Sequence, residues 1–198
     1  MTRKKSSFIS EFIQRYKLFA LKDVAIFCII TLGFHFLFRY VAGEYHFKIF
    51  GIKVLPDGVF DFFRDQVYYG TVFILRDILG VKFTVSNHTL YFQNGTYIGV
   101  SYGCSGLKLV LQWLVLMVLY PGPWKKKLWY IPMGIVVVHL TNLFRMTGLS
   151  IILIKFQNQA YFNFSHDYIF RPLFYVMIFS MWVIWVEYIY HGKKKRQR

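Results

Sequence analysis

The sequence predicts an all-α polytopic membrane protein: about four transmembrane helices, interfacial or re-entrant helices, and a small extracytoplasmic β-hairpin. Three observations carry this reading. Apolar residues make up 56% of the 198, and mean hydropathy is +0.41. Charged residues are only 17%, against about 25% in soluble domains. The cations also flank apolar runs: 14 of the 24 Lys and Arg lie before the first run, between two runs at Lys125–Lys127, or in the tail after the last. That placement is the positive-inside pattern, so the net charge of +15 reads as topology and contact with anionic lipid. Nucleic acid is excluded as a partner on the same ground; the lipid bilayer is implied.

The length fits a single membrane domain, 1–198, with a cytoplasmic basic segment at 1–22 and a cytoplasmic basic tail at 191–198. In the first segment Phe8, Ile9, Phe12, Ile13 and Tyr16 recur at helical spacing, which suits a membrane surface. Val24 to Ala42 is the first expected span, leading outward, and Arg39 near its end can snorkel. It is too long for the apolar region of a signal peptide and lacks a small-residue cleavage site after it. Gly43 to Gly58 reads as a loop with turn signals at Gly51 and Pro56-Asp57-Gly58. Val59 to Leu79 is apolar but carries Asp61, Arg64, Asp65, Arg76 and Asp77, costly in hydrocarbon. An interfacial or re-entrant helix fits it better than a crossing, which would also move Lys125–Lys127 outside.

From Val81 to Val100 the pattern alternates and favours strand residues, and Asn94-Gly95 signals a tight hairpin outside the membrane, within 81–103. Asn87-His-Thr and Asn94-Gly-Thr also match the glycosylation pattern. Ser105 to Tyr120 is expected to return inward and stop at Pro121-Gly122-Pro123. Leu128 to Phe144 goes outward, Gly148 to Phe156 is a short apolar segment expected to re-enter or to pack on the outer face, and Asp167 to Tyr190 is the last span. Four crossings put both termini inside.

This arrangement brings three reactive residue types to one predicted depth: Cys104 at the entry of the second span, Arg145 at the exit of the third, His166 before the fourth. The two cysteines make no disulfide framework, because Cys28 and Cys104 fall at different depths. A thiolate is a nucleophile, and a helix N-terminus favours an anion. Lys108, one turn on, adds positive charge to the same face. His166 can take the thiol proton and return it to a leaving amine, with Asp167 available to orient it. Arg145 can hold an oxyanion or a substrate carbonyl, supported by Asn142 one turn earlier. Arg171 competes with Arg145 for this role. Ser105, beside Cys104, joins Asn142 and Lys108 as an expected supporting residue. Each principal residue also has a structural reading: Cys104 as a small packing residue with the flanking Gly103 and Gly106 allowing close helix packing, Arg145 as an interfacial anchor, His166 as a neighbour of a helix cap.

Gly103-Cys104-Ser105-Gly106 opening a membrane helix, Asn142-Leu-Phe-Arg145 closing the next, and His166 before the last together resemble the exosortase/archaeosortase family. The resemblance spans roughly residues 59–190 and suggests a compact bacterial exosortase. It implies a membrane cysteine protease or transpeptidase with Cys104 as nucleophile and Arg145 and His166 as partners. The implied substrates are exported proteins whose C-terminal sorting signal is a short motif, a membrane helix and a basic tail. Cleavage would pass through a Cys104 thioester, then transfer to water or an amine. The implied location is the bacterial inner membrane, with the site facing outward and no cofactor or metal. A groove near Gly103, Gly106 and Gly148 is the expected dock for the substrate helix. Two other classes fit the residues: a non-catalytic membrane scaffold, and a haem electron carrier with His35 and His139 as axial ligands.

Overall fold

The computed structural model describes residues 4–41, 48–49, 52–53 and 57–190; the expected tail at 191–198 and much of the 43–58 loop lie outside these. Helix α1 is Lys4–Val41, so the basic segment runs into the first span without a break. Strands β1 (Lys48–Ile49) and β2 (Ile52–Lys53) pair antiparallel on either side of the Gly51 turn signal. Helix α2 is Asp57–Phe73, extended by a wide π turn over Ile74–Ile78.

A three-stranded antiparallel sheet follows: β3 (Phe83–Ser86), β4 (Thr89–Phe92) and β5 (Tyr97–Gly99), in that order. The expected hairpin at Asn94-Gly95 joins β4 to β5. The first turn, Asn87-His88, has no glycine; both residues adopt positive φ (43° and 58°), the backbone a type I′ hairpin needs and one that Asn and His tolerate better than most. Alternation sends Leu90, Phe92, Ile98 and Val100 inward and leaves Tyr91 and Tyr97 exposed as a ring pair 5.9 Å apart.

Helix α3 is Leu107–Leu119. Its 13 residues span about 20 Å, less than the roughly 30 Å hydrocarbon core. Helix α4 is Trp124–Phe156, 33 residues without interruption, about 50 Å long. This corrects the expected break between Leu128–Phe144 and Gly148–Phe156. Gly148 is there for space rather than as a breaker: a Cβ on it would lie 2.7 Å from the Phe170 ring. Helix α5 (Gln159–Phe164), capped by the Asn158 side chain, passes through a π turn (Ser165–Phe170) into α6 (Arg171–Ile184) and a last π turn (Trp185–Tyr190). The last helical run therefore begins at Gln159, and His166 lies inside it rather than ahead of it. Among the described residues three helices are long and apolar enough to cross a membrane: Lys22–Tyr40, Trp124–Phe156 and Gln159–Tyr190. The fourth expected crossing, α3, falls short of that length.

Two cores sit along α4. One joins α1, α3, α4, α6 and the last π turn through Phe27, Trp113, Leu116, Tyr130, Trp182 and Trp185. At this end a Cβ on Gly134 would overlap the Trp113 indole, which donates to the Ile131 carbonyl at 3.2 Å. Lys127, almost fully buried, donates to the Tyr120 carbonyl at 2.6 Å and closes the end of α3. The other core joins α2, the sheet, the last turns of α4 and Phe170. Three of the five charges that made the 59–79 segment ambiguous are paired: Arg64 lies 2.9 Å from Asp61 and 3.0 Å from Asp65, and Asp65 3.0 Å from His88 of the β3–β4 turn. Burial works against the Arg64 charge, but Asp65, with Tyr102 and Asp61, outweighs it and holds the guanidinium above its ordinary range.

Candidate active site

Between the two cores, the chain leaves β5 and forms a single 3-10 turn, Tyr102–Cys104, before α3. Cys104 ends that turn, half-buried, and Ser101 donates its hydroxyl to the sulfur at 3.6 Å. Ser105 is buried. Its hydroxyl donates to the Tyr102 carbonyl at 2.7 Å and accepts the Leu107 N–H at 3.3 Å, satisfying one of the free donors at the start of α3. Tyr102 donates to Asp61 at 2.9 Å and lies under Arg64, whose guanidinium carbon is 4.9 Å from the ring centre. The α2 charges thus grip the turn that carries the thiol.

Gly106 meets two demands at once. It takes a left-handed backbone (φ 77°) to turn the chain into α3, and a Cβ on it would come within 2.9 Å of the Asn142 amide nitrogen. Asn142, fully buried on α4, donates that amide to the Cys104 carbonyl at 2.8 Å. Its Oδ1 is buried without a hydrogen-bond partner.

Arg145 follows one turn along α4 and reaches His166, with a guanidinium nitrogen 2.7 Å from Nε2. His166 Nδ1 in turn lies 2.7 Å from Asp167 Oδ1. A guanidinium only donates, so Nε2 accepts; the proton of the neutral ring is then on Nδ1, donated to Asp167. Neighbours in sequence do not ordinarily face each other on an α-helix; here His166 and Asp167 meet in the π turn, a geometry often found at functional sites. The Phe174 ring covers the guanidinium at 5.8 Å. Arg171, the competitor, is largely exposed and paired with Asp167 at 3.2 Å.

The expected residues divide clearly. Cys104, Asn142, Arg145 and His166 gather at one level of α4, with Ser105 supporting the turn. Lys108 turns away to α1, its ammonium 3.3 Å from His35 Nδ1 and over the Phe38 ring at 5.4 Å. With that ammonium donating, His35 keeps its proton on Nε2, which leaves no free lone pair for an iron; His139 is half-buried on α4. The expected groove is also filled in part, Gly106 by Asn142 and Gly148 by Phe170. Sequence reasoning missed Tyr102 and the use of Asp61 and Arg64; their i, i+3 spacing on α2 was the available signal.

A sequence model of the transmembrane exosortase family matches residues 27–185. No curated protein and no solved structure matches the chain.

Proposed function

The chain belongs to the transmembrane exosortase family, a multi-pass membrane protein of that type, and on that premise we propose that it is a membrane cysteine protease or transpeptidase acting on C-terminal sorting signals. The observation that carries the proposal is the Arg145–His166 contact at 2.7 Å, one helical turn from the Asn142 that holds the Cys104 carbonyl.

The thiolate of Cys104 attacks the scissile carbonyl carbon and the C=O electron pair moves to oxygen. Arg145 leaves Nε2 and turns its planar donors to that oxyanion. The His166 Nε2 lone pair, released from Arg145, is what takes the thiol proton to form that thiolate, and the imidazolium returns the proton to the departing amine as the C–N bond breaks. The product is a thioester on Cys104. Water or an amine then attacks it and restores the thiol. Asp167 keeps the imidazole in the tautomer this exchange requires. The chemistry calls for no metal or cofactor.

Substrates on this reading are exported proteins with a short motif, a membrane helix and a basic tail. On this reading Lys125–Lys127 mark the cytoplasmic side and the short α3 completes a fourth passage, so that both termini lie inside and the thiol at the outer leaflet of the bacterial inner membrane.

The test is mass spectrometry of exported proteins from cells carrying Cys104→Ala, Arg145→Ala or His166→Ala. Retention of the uncleaved C-terminal tail in all three is expected. Normal processing in Cys104→Ala cells would falsify the proposal and leave a non-catalytic scaffold.

A further inference from the structure

Strand β5 is an edge of the sheet, and it leads directly into the turn that carries Cys104. Its backbone divides by parity. The Phe92 N–H bonds the Thr96 carbonyl at 2.8 Å, the Val100 N–H bonds the His88 carbonyl at 2.9 Å, and Leu90 lies opposite Ile98 between them. Thr96, Ile98 and Val100 therefore face β4. Tyr97 and Gly99 alternate with them, so their N–H and C=O groups point to the open side. Both residues are exposed, Tyr97 at 66%, and no described strand pairs with this edge.

The direction of β5 adds a second constraint. At its start, Asn94 donates to the Ile154 carbonyl at 3.0 Å; beyond its end, the Cys104 carbonyl accepts from Asn142 at 2.8 Å. These anchors stand about 18 Å apart along α4. The strand thus descends beside α4 from its far end to the level of the thiol, and the chain continues into the apolar helix α3. A peptide that enters the membrane just after its cleavage point follows the same course.

We propose that the free edge of β5 is the substrate-binding site for the residues ahead of the scissile bond: an extended peptide adds to the sheet as a fourth strand, parallel to β5, pairing with the backbone of Tyr97 and Gly99 and running toward Cys104. This rests on the reading of Cys104 as the nucleophile, and names how the substrate reaches it. Main-chain pairing supplies affinity for many sequences, while side chains on alternate positions supply selection. Gly99 carries no side chain on the solvent face of β5 beside the Tyr97–Tyr91 ring pair, and the Thr89 hydroxyl, 3.4 Å from where a Cβ would stand, is its one near neighbour there, which leaves room for a substrate side chain.

The test uses full-length Cys104→Ala protein in nanodiscs and a synthetic peptide comprising the motif and first helical turns of an exported protein with such a tail. Binding is read by fluorescence anisotropy while the peptide backbone is N-methylated one residue at a time. Methylation is expected to weaken binding about 10-fold at every second residue ahead of the scissile bond and little at those between. Gly99→Pro removes an outward N–H without touching the β4 bonds; it should lower affinity about 10-fold with thermal unfolding unchanged. No measurable binding, losses without a period of two, or full affinity in a folded Gly99→Pro protein would overturn the proposal. Because binding is measured without the thiol, failure of the Cys104 reading shows separately, as normal tail processing in Cys104→Ala cells.

Discussion

The two cores along α4 solve different problems. The one at the Lys125–Lys127 end is built from large aromatic side chains set into spaces left by glycine: Trp113 against Gly134, Trp185 against Gly122. Among its polar groups, Lys127 closes the end of α3. The core at the sheet end mixes helix and strand, and beside it lie the paired charges of α2, the Asn142 amide, Arg145 and His166. One end holds the helices in register. The other holds polar groups in register with one another, and it is where the proposed chemistry is placed. Damage at the first should unfold the protein, and damage at the second should silence it while it stays folded.

The largest effect is expected from Gly134→Val. A side chain there collides with the Trp113 indole, and overpacking of this kind costs about 3 kcal/mol. Thermal unfolding in detergent should show a protein that no longer assembles. Arg145→Lys comes next and behaves in the opposite way. The lysine keeps the charge but loses the planar donors that reach His166, so tail processing should fall about 100-fold while the unfolding temperature holds. An equal fall in both would erase the contrast between the two ends.

Gly106→Ala lies on the boundary and should register on both scales. A left-handed backbone with a Cβ costs about 1–2 kcal/mol, and the methyl group displaces the Asn142 amide from the Cys104 carbonyl. Processing should drop about 10-fold, and alkylation of Cys104 by iodoacetamide, followed by peptide mass spectrometry, should change with it. The smallest effect is Asn94→Ala. It frees the hairpin tip from the Leu153 and Ile154 carbonyls and should cost about 1 kcal/mol of stability, with the loss confined to hydrogen exchange in the sheet. The Asn94 side-chain nitrogen is engaged in those bonds, so its match to a glycosylation pattern has a structural explanation.

Much of this was legible in the sequence, and the rest failed for identifiable reasons. Cys104, Asn142, Arg145 and His166 were readable because a polar residue at the edge of an apolar run stands out. The Asn94-Gly95 turn was readable because its chemistry is local. The continuous α4 was not: Arg145 and Gly148 look like a helix ending, until Phe170 is seen to fill the space at Gly148 and His166 to meet the charge at Arg145. The last turns of α4 are held by α2 and the sheet, partners far away in sequence. The Asn87-His88 turn lacked a glycine to announce it. Lys108 was set beside the thiol by helical spacing, but its side chain goes to His35 across the α1–α3 contact. Spacing along one helix says nothing about what the neighbouring helix offers.

The central claim is a covalent bond between Cys104 and the substrate. Mass spectrometry of the purified protein after brief incubation with a sorting-signal peptide measures it directly. The account predicts an acyl adduct on Cys104 that neutral hydroxylamine releases and that Cys104→Ala lacks. Peptide cleavage that proceeds at full rate in Cys104→Ala, with no adduct on the wild-type thiol, would contradict it.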